Sequence, residues 1–182
     1  MAPPSLLLEE VQDSIAQDER RLSALRLVQD LELPEGSIAG DFVRCAVFDR
    51  FHQHPEWTQL RAVDVVYFDP ERTEAVVDRN LETELIAQAP RRPWRVTNLA
   101  ASRPGAEKLA EALGVYLDTA SAVAVRLGPR ERILVNAPFG LEDLTGGIVR
   151  PTRPEAAGEL RRRVRDEKWL SRYPKLRLEG LE

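Results

Sequence analysis

The chain has 182 residues, enough for one compact domain with a sizeable core and short for two. Hydrophobic residues make up 43% and charged residues 31%, and the net charge of −4 gives no global reason to expect nucleic acid or an anionic membrane as a partner. A single cysteine, Cys45, excludes an internal disulfide framework; with no signal-peptide pattern and no apolar stretch near the roughly 20 residues of a membrane span, the expected location is cytoplasmic.

Leu8, Val11 and Ile15, then Leu22, Leu25 and Val28, recur at helical spacing. They predict one helix from Ser5, as N-cap, to about Asp30, ended by Pro34 and Gly36. A second helix is expected over Asp41 to about Phe51, and "HQHPEWTQ" reads as loop. "AVDVVYFD" is rich in valine and aromatics at both parities, as a strand covered on both faces would be. Asp69 followed by Pro70 is a good helix start, with Val77, Leu81 and Leu85 on the inner face. "PRRPWRVTNLA" holds a second strand and "ASRPGAEKLAEALGV" a short helix. "SAVAVRL" and "RILVNAP" are two more strands around "GPRE". A turn at "FGLEDLTGG", a charged helix from about Pro154 to Leu170 and an extended tail complete the chain. Strands alternating with helices, then a strand pair, predict an α+β fold with α/β-type alternation and a mixed sheet. Residues 1–36 are read as an N-terminal helical segment packing on a domain formed by residues 37–182.

Asp64 is the residue that asks for a reason. On a strand it shares a face with Ala62, Val66 and Phe68, and a buried carboxylate costs several kcal/mol unless paired or bound to metal. Two readings stand: metal or phosphate chemistry, or a structural arginine partner, with Arg44 and Arg126 as candidates. Gly40, just before a helix, suits phosphate binding through free N–H groups, although Asp41 occupies that position with its own negative charge. His52 and His54 read as surface histidines, since no third ligand accompanies them. Arg161, Arg162, Arg163 and Arg165 crowd one helix; they form either a solvated face with the i,i+4 pairs Glu159–Arg163 and Arg162–Asp166, or an RNA-facing patch.

The blocks "FVRCAVFD", "VDVVYFDP", "PWRVTNLA", "TASAVAVRL", "APFGLEDL", "RPT" and "KWLSRYPKLRL" occur in one order from about Ile38 to Leu178. Together they resemble a bacterial nucleotidyltransferase-like family, long catalogued as a domain of unknown function, within the polymerase-β-like nucleotidyltransferase superfamily. The resemblance implies a small mixed sheet flanked by helices in a single domain. It also implies metal-dependent transfer of a nucleoside monophosphate from an NTP to an acceptor hydroxyl, with Mg²⁺ or Mn²⁺ held by an Asp-x-Asp pair. Asp64 matches the second Asp, as catalytic residue and metal ligand. Gly40, Arg44 and Asn98 match nucleotide-binding positions.

The departures are specific. The first Asp of the pair falls on Ala62. Aligned on Val43 and Arg44, Asp41 stands at the family's glycine and Cys45 at its asparagine. Leu99 to Arg103 replaces a segment that is polar in the family. A second metal ligand would have to come from Asp41, Asp69 or Glu56. The expectation is a kept fold with an eroded metal site, and the alternative to the enzyme is an inactive fold that binds a nucleotide, RNA or a protein. RNA contact is assigned to Arg161, Arg162, Arg163 and Arg165; a structural role for the charged C-terminal helix is the third reading.

Overall fold

The computed structural model describes residues 3–181. The first apolar stripe forms two helices, α1 (Pro4–Ala16) and α2 (Glu19–Asp30), where one was expected. Asp18 makes the break. Its backbone is extended and its carboxylate accepts a hydrogen bond from the N–H of Arg20 at 3.0 Å, so it caps a new helix. Ser5 lies inside α1, whose start is set by Pro4 at the first helical position.

A five-stranded sheet follows in the order β3-β2-β1-β4-β5, formed by β1 (Ser37–Ala39), β2 (Val63–Tyr67), β3 (Trp94–Asn98), β4 (Ala124–Leu127) and β5 (Ile133–Asn136). Only the β2–β3 pairing is parallel, so the sheet is mixed and the fold is α+β. The central strand, β1, is missing from the sequence reading. Three residues show no period, yet all three are buried.

The two sheet faces are covered unequally. Ile38, Val63, Val65, Tyr67 and Val125 point into the main core with Val11, Ile15, Leu25 and Val28 of α1 and α2 and the helix α3 (Asp41–Phe51). Helix α3 is buried from Phe42 through Asp49, so it runs through the interior and carries Arg44 and Asp49 inside with it. The other face holds a smaller core of Ala39, Val66, Phe68 and Leu99 against the short helices α5 (Leu99–Ser102) and α6 (Leu109–Ala112), where one short helix was expected. Asp64 lies on this thinner face, with Val66 and Phe68 as its parity requires.

The helix expected from Pro70 begins later: α4 spans Ala75–Gln88. Asn98 explains the delay. Its amide nitrogen donates to the carbonyls of Asp69 (2.7 Å) and Arg72 (2.9 Å), and its amide oxygen accepts from the N–H of Asp69 (3.1 Å). Residues 69–72 are thereby held as a turn, and Asp69 caps it by accepting from the N–H of Glu71 at 3.0 Å.

The C-terminal third contains α7 (Glu142–Thr145), β6 (Ile148–Val149), α8 (Ala157–Asp166), α9 (Trp169–Arg172) and β7 (Arg177–Leu178), the last paired in parallel with β6. The charged helix is interrupted at Lys168, which takes left-handed geometry (φ 54°), so α9 is a separate turn. Asp49 ties this region down. Its buried carboxylate accepts from the N–H and Oγ1 of Thr58 (2.8 and 2.7 Å), from the Tyr173 hydroxyl (2.8 Å) and from Arg172 (3.3 Å). No helix among the described residues is long and apolar enough to cross a membrane.

Candidate functional site

Asp64 and Arg95 are register neighbours on the parallel strands β2 and β3, so their side chains leave the sheet side by side. Arg95 Nε and Nη2 lie 2.7 and 2.6 Å from Asp64 Oδ1. The Asp64 side chain is 11% exposed, while that of Arg95 is 62% exposed. The partner of Asp64 is therefore neither of the arginines expected from sequence. Arg44 points elsewhere, and Arg126 stands exposed on β4 beside α2. The signal for Arg95 was parity: two strands in parallel register set Asp64 beside it.

Asp41 opens α3 and reaches the same cavity, of about 330 Å³, which is also lined by Arg95, Thr97, Tyr116 and Arg163. Asp41 accepts from Arg44 Nη2 at 2.6 Å and from Arg163 Nη2 at 3.2 and 3.3 Å. Burial alone would raise its pKa, but the two guanidinium groups outweigh burial and hold the carboxyl below its ordinary range. Arg44 is fully enclosed. Its guanidinium carbon lies 3.5 Å from the centre of the Trp169 ring, and burial, which would lower its pKa, is overcome chiefly by Asp41. Arg44 is thus the counter-ion beneath Asp41.

Gly40 is required where it stands. With φ 67° and ψ −131° it occupies a region open essentially to glycine, and a Cβ there would meet Tyr116 Cε1 at 2.9 Å and Asp64 Oδ2 at 3.1 Å. Its carbonyl accepts from the N–H groups of Val43 (3.1 Å) and Arg44 (3.0 Å), starting α3. Tyr116, which sequence reasoning did not single out, is kept protonated by burial and by the nearby charge of Asp64.

Behind Arg44, Asp118 is wholly buried. It accepts from the N–H of Ser121 at 2.8 Å through Oδ1, while Oδ2 has no hydrogen-bond donor among the described residues. Burial raises its pKa, against the opposing charge of Arg44. A carboxyl raised in the folded state stabilises fully below its unfolded pKa of about 3.9 and loses that contribution as pH rises through the folded value. Asp118→Asn is therefore expected to match the wild type near pH 4 and to be the more stable of the two at pH 7, read from urea midpoints at the two pH values.

The remaining sequence-predicted residues fall outside this cavity. Asp69 and Glu56 do not line it, Asn98 spends its amide on the 69–72 turn and the start of α5, and His52 and His54 bond main-chain groups. The arginine cluster divides. Arg163 enters the cavity and pairs with Glu167 at 3.2 Å, Arg161 bonds the carbonyl of Leu181, Arg162 lies 3.9 Å from Glu159, and Arg165 pairs with Asp166 at 2.9 Å. The expected pair Glu159–Arg163 is absent because Arg163 turns to Asp41 and Glu167, and in place of Arg162–Asp166 the neighbours Glu159 and Arg165 serve those two residues.

A strand carboxylate facing a glycine-led helix on the open side of a small mixed sheet defines a nucleotidyltransferase-type head. The family model described as Nucleotidyltransferase matches residues 26–178, and the chain belongs to that family. Among solved structures, a protein whose NMR structure "reveals a CCA-adding enzyme head domain" superposes with a TM-score of 0.79 at 20% identity, covering 94% of this chain and 95% of that one. A CCA-adding enzyme with CTP gives a TM-score of 0.61 at 16% identity, covering 95% of this chain and 43% of that one. The Thermotoga maritima CCA-adding enzyme complexed with tRNA gives 0.56 at 16% identity, covering 96% and 42%. These likenesses establish the fold; the chain spans less than half of the two enzymes bound to CTP and to tRNA. No curated protein sequence matches it.

The family implies a divalent metal, and the donor set does not fit one as arranged. The cavity lining holds two carboxylates, Asp41 and Asp64, against two guanidiniums, Arg95 and Arg163, with Arg44 adding a third positive charge beneath. Mg²⁺ depends on free carboxylate and phosphate oxygens at about 2.0–2.1 Å. Asp64 Oδ1 is taken by Arg95, Asp41 is shared by two arginines, and Ala62 offers nothing. No group of three or more His, Cys, Asp or Glu among the described residues is placed to hold a metal.

Proposed function

We propose that this chain is a nucleotidyltransferase-fold protein that binds an NTP through its phosphates and has lost metal-dependent nucleotidyl transfer. The observation that carries the reading is the Arg95 clamp on Asp64: the one strand carboxylate is neutralised by protein, and the exposed guanidinium is left at the cavity mouth. Arg95 and Arg163 would receive the phosphates by charge-assisted hydrogen bonds. Thr97 and Tyr116 supply hydroxyls to the same cavity, and Gly40 keeps the helix start clear of any side chain. An RNA partner would meet Arg162 and Arg165, whose side chains are 64% and 74% exposed, rather than Arg161 or Arg163.

A second reading, retained transferase activity with Asp41 and Asp64 sharing Mg²⁺ or Mn²⁺, draws on one fact: both carboxylates line the same cavity. Thermal melts with each NTP, with and without Mg²⁺, separate the two. A ligand at 100 times its Kd stabilises by about 2.7 kcal/mol, which a melt resolves. The binder reading predicts a shift without metal that survives in Asp64→Asn and is reduced in Arg95→Ala. A shift that needs metal and Asp64, together with pyrophosphate release, would establish the transferase instead. Absence of any shift with all four nucleotides sinks both.

A further inference from the structure

A larger cavity, of about 460 Å³, opens on the other side of the sheet's β2–β3 end and shares no lining residue with the site above. It lies between the first turn of α2, Phe42 in the first turn of α3, the loop 57–60 ahead of β2, and residues 91–93 ahead of β3. Four arginines line it, Arg20, Arg21, Arg91 and Arg92, against one carboxylate, Asp18, so its lining carries a net charge of +3. The whole chain carries −4. Such a concentration of one sign in a concave wall focuses the field on an anion.

The arginines are only partly compensated. Arg21 is buried (4% exposed), bonds the carbonyl of Phe42, and places Nε 3.3 Å from Asp18 Oδ2 without a well-formed hydrogen bond. Asp18 also serves Arg20 at 3.1 Å, so one carboxylate is divided between two cations. Arg92 Nη2 bonds only neutral groups, the hydroxyl of Ser23 and the carbonyl of Arg20. Arg91 is exposed and has no ion-pair partner among the described residues. Burial lowers the pKa of both Arg21 and Arg92, which marks charge that the protein has desolvated without full repayment.

Trp57 supplies the second element. It is 39% exposed, large and apolar, with the guanidiniums of Arg20 and Arg21 at 5.7 and 5.9 Å from its ring. A partly open indole beside arginines that share a single carboxylate suits a planar ring joined to a phosphate, since the ring stacks on the aromatic and the phosphate takes the guanidiniums. A volume of this size lies within the range of small-ligand pockets. We infer that this cavity is a second binding site, for a nucleotide phosphate, with Trp57 as the stacking platform and Arg91 and Arg20 as the phosphate contacts. It stands independently of the NTP reading of the first site.

Calorimetric titration of full-length Arg95→Ala protein, in which the first site is disabled, tests it. The probes are ADP, 5′-phosphorylated tetra-adenylate RNA and inorganic phosphate at fixed ionic strength. ADP or the RNA is expected to bind, and Trp57→Leu and Arg91→Ala, each added to the same background, are expected to weaken binding about tenfold. Binding of ADP and RNA alike assigns the site to a free or terminal nucleotide; binding of RNA alone assigns it to a strand. The inference is overturned if neither ADP nor RNA binds Arg95→Ala protein, if Trp57→Leu leaves affinity unchanged, or if inorganic phosphate competes as well as ADP. Loss of all nucleotide binding on Arg95→Ala alone would refute this site and leave the first one standing.

Discussion

Arg44→Met is expected to destabilise the protein by about 3 kcal/mol, because it removes the enclosed counter-ion of Asp41 and leaves that partly buried carboxylate to Arg163 alone. For a chain of this size that corresponds to roughly 6–12 °C in Tm. Methionine keeps much of the volume against Trp169, so the loss reports charge more than cavity formation. The pH dependence has a definite sign. Asp41 is depressed in the folded state, so its stabilising contribution is full above the unfolded pKa of about 3.9 and fades as pH falls through the lower folded value. The gap between Arg44→Met and wild type should therefore be widest near neutrality and narrow below about pH 4. Adding Asp41→Asn to Arg44→Met should restore part of the loss at pH 7, since the carboxylate that Arg44 paired with is then neutral. A double variant no more stable than the single one would show that Arg44 acts through packing.

The second large effect falls on Gly40. Alanine there is expected to cost about 3 kcal/mol, combining strain in a glycine-only conformation with a Cβ driven into Tyr116 and Asp64. Gly105→Ala supplies the comparison. Gly105 also has positive φ (88°), but a Cβ there meets nothing within 4 Å, so it carries the strain without the clash. Urea unfolding of both variants isolates the steric share. If the two cost the same, Tyr116 and Asp64 yield freely and the closeness of Gly40 to the site has no energetic weight. Because the displaced atoms are site atoms, Gly40→Ala should also reduce the NTP-induced shift in melting.

The α+β class, the mixed sheet and the helix over Asp41 to Phe51 were readable from pattern, because long apolar periods and Val-rich runs report burial directly. Three kinds of feature were not. Asp18 and Lys168 break helices through local capping and a left-handed residue inside uninterrupted helical periods, which averaging over a window hides. Strand β1 is too short to carry a period and owes its existence to neighbours on both sides. Ion-pair partners depend on register: Asp64 was correctly marked as a carboxylate needing a partner, but Arg95 emerges only when β2 and β3 are aligned. Asp69 illustrates the opposite error. Asp-Pro is a sound local helix start, and it is overruled by Asn98, 29 residues further on, whose amide holds the segment as a turn. Within the site, Asp41 and Asp64 come together while Arg44 goes beneath and Asn98 to the side, because a match to a motif assigns positions and only packing decides which atoms face the cavity.

The position of β1 between β2 and β4 also sets an order of assembly. Ile38 pairs with Val65 across one α-helix, but on its other edge it waits for Val125. Contacts so far apart in the chain close late, since a long loop must lose its freedom before the pairing repays it. The half-sheet β1–β3, which already places Asp64 beside Arg95 and Gly40, can therefore form while its β1 edge is still bare. In a refolding reaction, that unpaired edge is where one molecule would meet another, and docking of the β4–β5 hairpin is the event that removes the hazard.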